Sequence, residues 1–326
     1  MSGPVLELRD VTKRFGTRRQ PIWALAGVSL HVNAGETLGI VGESGSGKST
    51  AARIAVGLDL PTAGDATVMG RPVSESGGKG LVQMVFQDPS ASLNPLLRVT
   101  PSVREPLDAG GANNATARQV RALEALGEVG LGGESGLRFP GALSGGQKQR
   151  ASIARALAAL PPVIVCDEAV TALDVSIRAQ ILNLLRSVQD AHGTACLFIS
   201  HDLCTVAYMS HRIVVMYLGK IVEVGHTEQI FAMPAHPYTC ALLSAVPQLQ
   251  QGRHRRPRIR LQGDPPSVMR PPTGCRFHTR CPMADERCRS EEPLLRQLES
   301  GHHAACHYAP VDEARLAAMA ATGATP

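Results

Sequence analysis

Two stretches of this sequence are suited to holding phosphate. Gly42-Glu43-Ser44-Gly45-Ser46-Gly47-Lys48-Ser49 fits the spacing G-x-x-x-x-G-K-[ST], with the apolar run Thr37 to Val41 before it and a helical segment, Lys48 to Leu58, after it. Glycines here let backbone N–H groups converge on phosphate oxygens without Cβ interference, and the helix start adds positive potential. Lys48 is then placed to reach the β- and γ-phosphates of a nucleoside triphosphate, and Ser49, with Thr50 beside it, to meet Mg²⁺. Leu143-Ser144-Gly145-Gly146-Gln147 opens a later helix in the same manner: Ser144 caps and the glycines expose N–H groups.

The acidic partners of such a site follow a second apolar run. Val163 to Cys166 lies between Pro161-Pro162 and Asp167, which suits a strand buried on both faces of a parallel sheet. A carboxylate at its end, Asp167, can hold Mg²⁺ directly or through water, and the adjacent Glu168 can polarise an attacking water. His201, after Leu197-Phe-Ile-Ser, stands at the mouth of another strand and can hydrogen-bond a γ-phosphate.

The cysteines fall into two groups. Cys166, Cys196, Cys204 and Cys240 are scattered and read as inert packing residues, whereas Cys275-x5-Cys281-x6-Cys288-x17-Cys306 gathers four thiols near the end of the chain. Four soft ligands suffice for one tetrahedral or cubane-type site, and the spacing leaves Zn²⁺ and an iron–sulfur cluster both open. His278, His302, His303 and His307 stand by as substitutes or second donors.

The elements that must position these residues alternate. Strands are expected at Val5 to Arg9, Val28 to Val32, Thr37 to Val41, Val82 to Phe86, Val163 to Cys166 and Ala195 to Ser200. Helices are expected at Ala117 to Val129, Gly145 to Leu160, Ile177 to Ala191 and from Leu203, so the domain is α/β. Arg212 to Tyr217 and Lys220 to Val224, joined by Leu218-Gly219, read as a hairpin. Residues 1–247 then form the main domain, 248–272 an Arg- and Pro-rich linker, 273–308 the cysteine module, and 309–326 an Ala-rich, disordered tail.

Bulk properties exclude other classes. Of 326 residues, 33 are Lys or Arg and 28 Asp or Glu, a net charge of +5 that is too even to indicate nucleic acid. The only basic concentration, Arg253, Arg255, Arg256, Arg258 and Arg260, reads as solvated linker. No apolar run reaches the ~18 residues of a membrane span, and no signal-peptide pattern opens the chain, so a soluble, cytoplasmic protein is expected.

Together these residues resemble the ATP-binding cassette ATPases from about Val5 to about Tyr308. Walker A is Gly42 to Ser49, the Q-loop glutamine is Gln87 in Val85-Phe-Gln-Asp-Pro, and the signature is Leu143 to Gln147. Walker B is Val163 to Asp167 with Glu168 following, the D-loop is Ala172-Leu173-Asp174, and the switch histidine is His201. The resemblance implies a P-loop NTPase fold with a mixed sheet core and a helical signature subdomain at about 88–160. It implies Mg²⁺ at Ser49, Gln87 and Asp167, and catalysis by Glu168 with His201 and Gln87. It also implies head-to-tail pairing, in which the signature of one domain faces the ATP of the other. Phe15 falls where the family places an adenine-stacking aromatic, more commonly Tyr. Ala169 replaces the proline that usually follows the catalytic glutamate, a departure that bears on how firmly that turn is held.

Phe86-Gln-Asp-Pro-Ser-Ala-Ser-Leu-Asn-Pro, His236-Pro237-Tyr238-Thr239 and Pro272-Thr-Gly-Cys-Arg-Phe-His-Thr-Arg-Cys-Pro resemble the oligopeptide/dipeptide importer branch, and within it the partner called F more than D. That likeness implies a [4Fe–4S] cluster on Cys275, Cys281, Cys288 and Cys306. It implies a second, unlike ATPase subunit, two permease subunits and an extracytoplasmic substrate-binding protein, with this chain peripheral on the cytoplasmic face of the membrane. Cargo rests with the permease and binding protein, so nickel chelates or glutathione stand beside peptides as alternatives. A soluble cassette ATPase fits less well: the translation type usually joins two cassettes in one chain, and the repair type needs a long coiled coil between Gln87 and Ser144.

Overall fold

The structure, a computed structural model, describes residues 3–17, 20–76, 80–110, 114–246 and 258–322. Residues 248–257 of the expected linker, with Arg253, Arg255 and Arg256, lie outside the described residues. The chain forms two compact units.

The first unit comprises Met1–Arg9, Ser29–Leu38 and Ser49–Ser200. Its strands Val82–Val85, Val163–Asp167 and Ala195–Ile199 pair in parallel, in register Val82↔Val163 and Val163↔Ala195. Val163 to Cys166 and Ala195 to Ile199 are buried, as parallel strands covered on both faces must be. Asp167 pairs opposite Ile199, so the carboxyl ends of two strands finish level, the edge at which open α/β sheets carry their sites. Helix Val175–His192 follows and stops at Gly193, left-handed at φ 63°.

Helices Val99–Ala109, Ala115–Glu128 and Gly145–Ala158 pack together. The first was not anticipated, because Pro101 and Pro106 break the sequence signal. Pro101 falls in the first turn, where no N–H is needed, and buried Val99 and Val103 carry the helix past the bond that Pro106 removes.

The second unit comprises Asp10–Val28, Gly39–Lys48 and His201–Pro326. Arg212–Tyr217 and Lys220–His226 form the expected hairpin, in register Lys220↔Tyr217. Leu218 at φ 44° and Gly219 at φ 78° give the doubly left-handed turn that matches strand twist. The cysteine module does not stand apart from this hairpin. His302–Ala304 pairs antiparallel with it at Glu223↔Ala304, and Arg296–Glu299 adds a further strand. Beneath the pairing, the buried Glu223 carboxylate accepts from the amides of Ala235 (2.8 Å) and His236 (2.9 Å) and lies 2.8 Å from His302 Nε2.

The expected disordered tail is corrected over its middle. Glu313–Thr322 is a helix, because Leu316 is fully buried among Ala235, Cys240, Ile259, Ala304 and Cys306. Among the described residues no helix is long and apolar enough to cross a membrane.

Candidate nucleotide site and cysteine cavity

In the second unit, the loop before helix Lys48–Ala55 takes the shape its glycines allow. Gly42 sits at φ 153° and Gly47 at φ 103°; a Cβ would fall 2.2 Å from the Met216 carbonyl oxygen at the first and 2.5 Å from that of Ala24 at the second. Lys48 is buried, and its ammonium donates to the carbonyls of Gly42 (2.7 Å) and Glu43 (2.9 Å) and approaches Ser46 Oγ at 3.5 Å. The cation is thus held against the oxygens of the loop itself. Ser44 and Gly45 are exposed at the loop's crest. Phe15 is 39% exposed with the Lys13 ammonium 4.9 Å from its ring centre, which makes it an accessible aromatic face and not a core residue.

In the first unit, the Ser49 hydroxyl donates to Asp167 Oδ1 at 3.1 Å, bringing two Mg²⁺-type oxygen donors together. Gln87 Nε2 donates to Glu168 Oε2 at 3.2 Å, so the glutamine in the loop after Val82–Val85 meets the glutamate after Val163–Asp167. Glu168 adopts φ 50°, a conformation that costs a side-chain-bearing residue about 1 kcal/mol or more. Its amide donates to the Ile199 carbonyl at 3.0 Å, and its own carbonyl accepts from both the amide (3.2 Å) and the hydroxyl (2.9 Å) of Thr171. Those bonds bracket the turn at buried Ala169. Thr171 carries no motif signature of its own, and the sequence reading passed over it.

Ser144 and Gln147 form a reciprocal cap at the start of helix Gly145–Ala158: the Gln147 amide donates to Ser144 Oγ (3.3 Å) and the Ser144 amide to Gln147 Oε1 (3.0 Å). Ser144 and Gly145 face outward. Asp174 is exposed just before helix Val175–His192, and His201 is exposed just past strand Ala195–Ile199.

The four clustered cysteines line one cavity in the second unit, with His236, His278 and His307 at its wall. His302, expected as a donor there, is turned to Glu223 instead. Burial pushes the thiol pKa values up, to about 11 at Cys275 and Cys288 and beyond that at Cys281. Backbone N–H groups oppose that shift: Phe277 and His278 toward Cys275, Met283 toward Cys281, Tyr308 and Ala309 toward Cys306. The Tyr308 amide lies 3.4 Å from Cys306 Sγ. Burial therefore favours the neutral thiol at all four positions, with main-chain donors offsetting part of that preference. Among the described residues no three His, Cys, Asp or Glu side chains close to the spacing of a metal site. Of the scattered cysteines, Cys166, Cys196 and Cys240 are buried as expected, but Cys204 is exposed.

A phosphate loop, an Asp-Glu pair closing a buried parallel strand and a capped Ser-Gly-Gly helix start are the parts of an ATP-binding cassette ATPase. The ABC transporter family model matches residues 25–171, and that of the oligopeptide/dipeptide transporter C-terminal region matches residues 222–288. The oligopeptide transport ATP-binding protein AppF of Bacillus subtilis is 44% identical over 93% of this chain and 97% of its own. The di/tripeptide transport ATP-binding protein DppF of Pseudomonas aeruginosa is 44% identical over 94% of this chain and 98% of its own. Among solved structures, the ATP-binding cassette MJ0796, a dimer in a post-hydrolysis state with ADP and Pi, matches at TM-score 0.61 and 32% identity, over 68% of this chain and 98% of that one. The chain belongs to the ABC transporter ATP-binding proteins, in the branch that carries the oligopeptide/dipeptide C-terminal region.

Proposed function

We propose that this chain binds ATP with Mg²⁺ and hydrolyses it to power import of peptides through a membrane permease. The observation that carries the reading is the pairing of Ser49 with Asp167 and of Gln87 with Glu168 in a chain similar to peptide-transport ATP-binding proteins along nearly its full length. Phe15 stacks on adenine, while the loop Gly42 to Gly47, with Glu43, Ser44, Gly45 and Ser46, wraps the phosphates. Lys48 would meet the β- and γ-phosphate charge and Thr50 would support the helix start; Ser49, Gln87 and Asp167 would hold Mg²⁺, which when bound would neutralise charge on the phosphate oxygens. Glu168 accepts a proton from a water that attacks the γ-phosphorus as the bond to the β–γ bridging oxygen breaks; ADP and inorganic phosphate leave. His201 orients the γ-phosphate. Ser144, Gly145, Gly146, Gln147 and Asp174 serve the nucleotide of a paired ATPase.

The assembly proposed is a heterodimer of two ATPase subunits on the cytoplasmic face of the membrane, below two permease subunits fed by an extracytoplasmic binding protein. The working division is a nucleotide-binding domain over 1–247 and a C-terminal module over 273–308, in which Cys275, Cys281, Cys288 and Cys306 hold a [4Fe–4S] cluster. Such a cluster supplies cross-linking to a segment too small to build a large core of its own.

In Glu168→Gln, ATP binding persists while hydrolysis falls by about 10²-fold or more, and peptide uptake into vesicles carrying the complex stops. Unchanged hydrolysis would sink the catalytic assignment. Anaerobically purified protein should contain iron and acid-labile sulfide that Cys275→Ser lacks; zinc in their place would remove the cluster.

A further inference from the structure

The segment between the first two clustered cysteines grips the phosphate loop. Arg280 Nη1 donates to Glu43 Oε2 at 2.8 Å and Nη2 to Glu43 Oε1 at 3.2 Å, a two-pronged ion pair across 237 positions of sequence. The Arg280 side chain is 8% exposed and that of Glu43 29%, so the pair is shielded from water on the arginine side. The Glu43 amide donates to Tyr238 Oη at 2.8 Å, which ties the same loop residue through its backbone. Tyr217, Tyr238 and Phe277 stack around this point with ring centres 4.8 to 5.5 Å apart. Arg276 donates to the Leu218 carbonyl, and the next residue, Gly219, donates its amide to the Ser46 carbonyl at 2.9 Å. Two arginines of Cys275-Arg-Phe-His-Thr-Arg-Cys281 therefore hold the loop at Glu43 directly and at Ser46 through the hairpin turn.

We propose that Arg280 is a positioning residue for the ATP site: it fixes Glu43, and through it the phosphate loop, from inside the cysteine module. The inference rests on the ATPase reading above. Glu43 places a carboxylate in a loop that must receive the negative charge of a triphosphate, and an unpaired carboxylate there repels it. The Arg280 fork neutralises that charge, and only a planar guanidinium makes both bonds at once. The cysteine module is by this route part of the nucleotide site and not an appendage to it.

The test is ATP-dependence of hydrolysis, with binding of a fluorescent ATP analogue, in the full chain and in Arg280→Gln, Arg280→Lys, Glu43→Gln and the double variant Arg280→Gln/Glu43→Gln. Arg280→Gln should raise KM and the analogue's Kd by about tenfold, the scale of a lost charge-assisted bond, with kcat within about twofold. Arg280→Lys should recover part of the loss. The double variant should bind ATP better than Arg280→Gln alone, because it removes the stranded carboxylate, and such coupling is what a merely structural arginine would not show. Unchanged KM in Arg280→Gln, or losses in the double variant equal to the product of the single losses, would overturn the proposal. A native chain that neither binds nor hydrolyses ATP would overturn the ATPase reading itself, an outcome distinct from native activity with an unmoved KM.

Discussion

At the scale of single residues, a short motif can mark a side chain for phosphate or Mg²⁺ chemistry even where the residue it meets lies 81 or 118 positions away. Lys48, Ser49, Asp167 and Glu168 sit in short motifs whose spacing dictates their surroundings, and the structure brings Ser49 to Asp167 and Gln87 to Glu168. What escaped is what no nucleotide motif marks: Arg280 and Tyr238 meet Glu43 from far along the chain, and nothing in residues 42–49 announces them. Thr171 escaped for another reason. It is close in sequence, but its role appears only once Glu168 is seen at φ 50° with its carbonyl held by the Thr171 amide and hydroxyl. Thr171→Val removes the hydroxyl bond, worth about 1 kcal/mol, while the amide bond remains. The expected result is a several-fold fall in the single-turnover hydrolysis rate at unchanged ATP affinity, with Thr171→Ser near native. An equal effect of both substitutions would show that the hydroxyl does not steady the glutamate.

At the scale of elements, periodicity read correctly where burial is one-sided or complete. Strands Val163–Asp167 and Ala195–Ile199 are continuous apolar runs, and helix Gly145–Ala158 begins at the Ser144 cap the sequence displays. The first strands came out longer than expected: the outer half of Leu6–Gly16 mixes exposed polar residues with few apolar ones, and that of Pro21–Val32, Pro21-Ile-Trp-Ala-Leu-Ala, is apolar without the alternation that marks a strand. Helix Val99–Ala109 was lost to its two prolines: local propensity argued against it, and packing through Val99 and Val103 overrode that argument. The hairpin was legible, but its extension by His302–Ala304 was not, since a three-residue strand takes its identity from the edge it joins. The edge accepts it because Glu223 offers a buried carboxylate to His302.

At the scale of the whole molecule, the end of the chain carries more than its composition suggests. The stretch Glu313-Ala-Arg-Leu-Ala-Ala-Met-Ala-Ala-Thr322 is short and Ala-rich, and as an isolated helix it would be marginal in water. One anchor decides the matter. Leu316 is fully buried in the cluster that also holds Ile259, Ala304 and Cys306, so the helix covers the back of a strand and of one cluster cysteine together. Leu316→Ala leaves a cavity in that cluster and should cost about 2–5 kcal/mol. Because Cys306 packs in the same apolar group, the substitution should lower the melting temperature and, where the four cysteines hold the iron–sulfur cluster proposed above, the iron bound per chain. A chain ending at Pro310 should behave the same way or worse. If the tail were only a solvated extension, the shortened chain would melt where the full chain does, with the same iron content; calorimetry with iron analysis on the two proteins distinguishes the cases. A loss of iron together with a raised KM for ATP would further link the last helix to the phosphate loop through the module that contains Arg280.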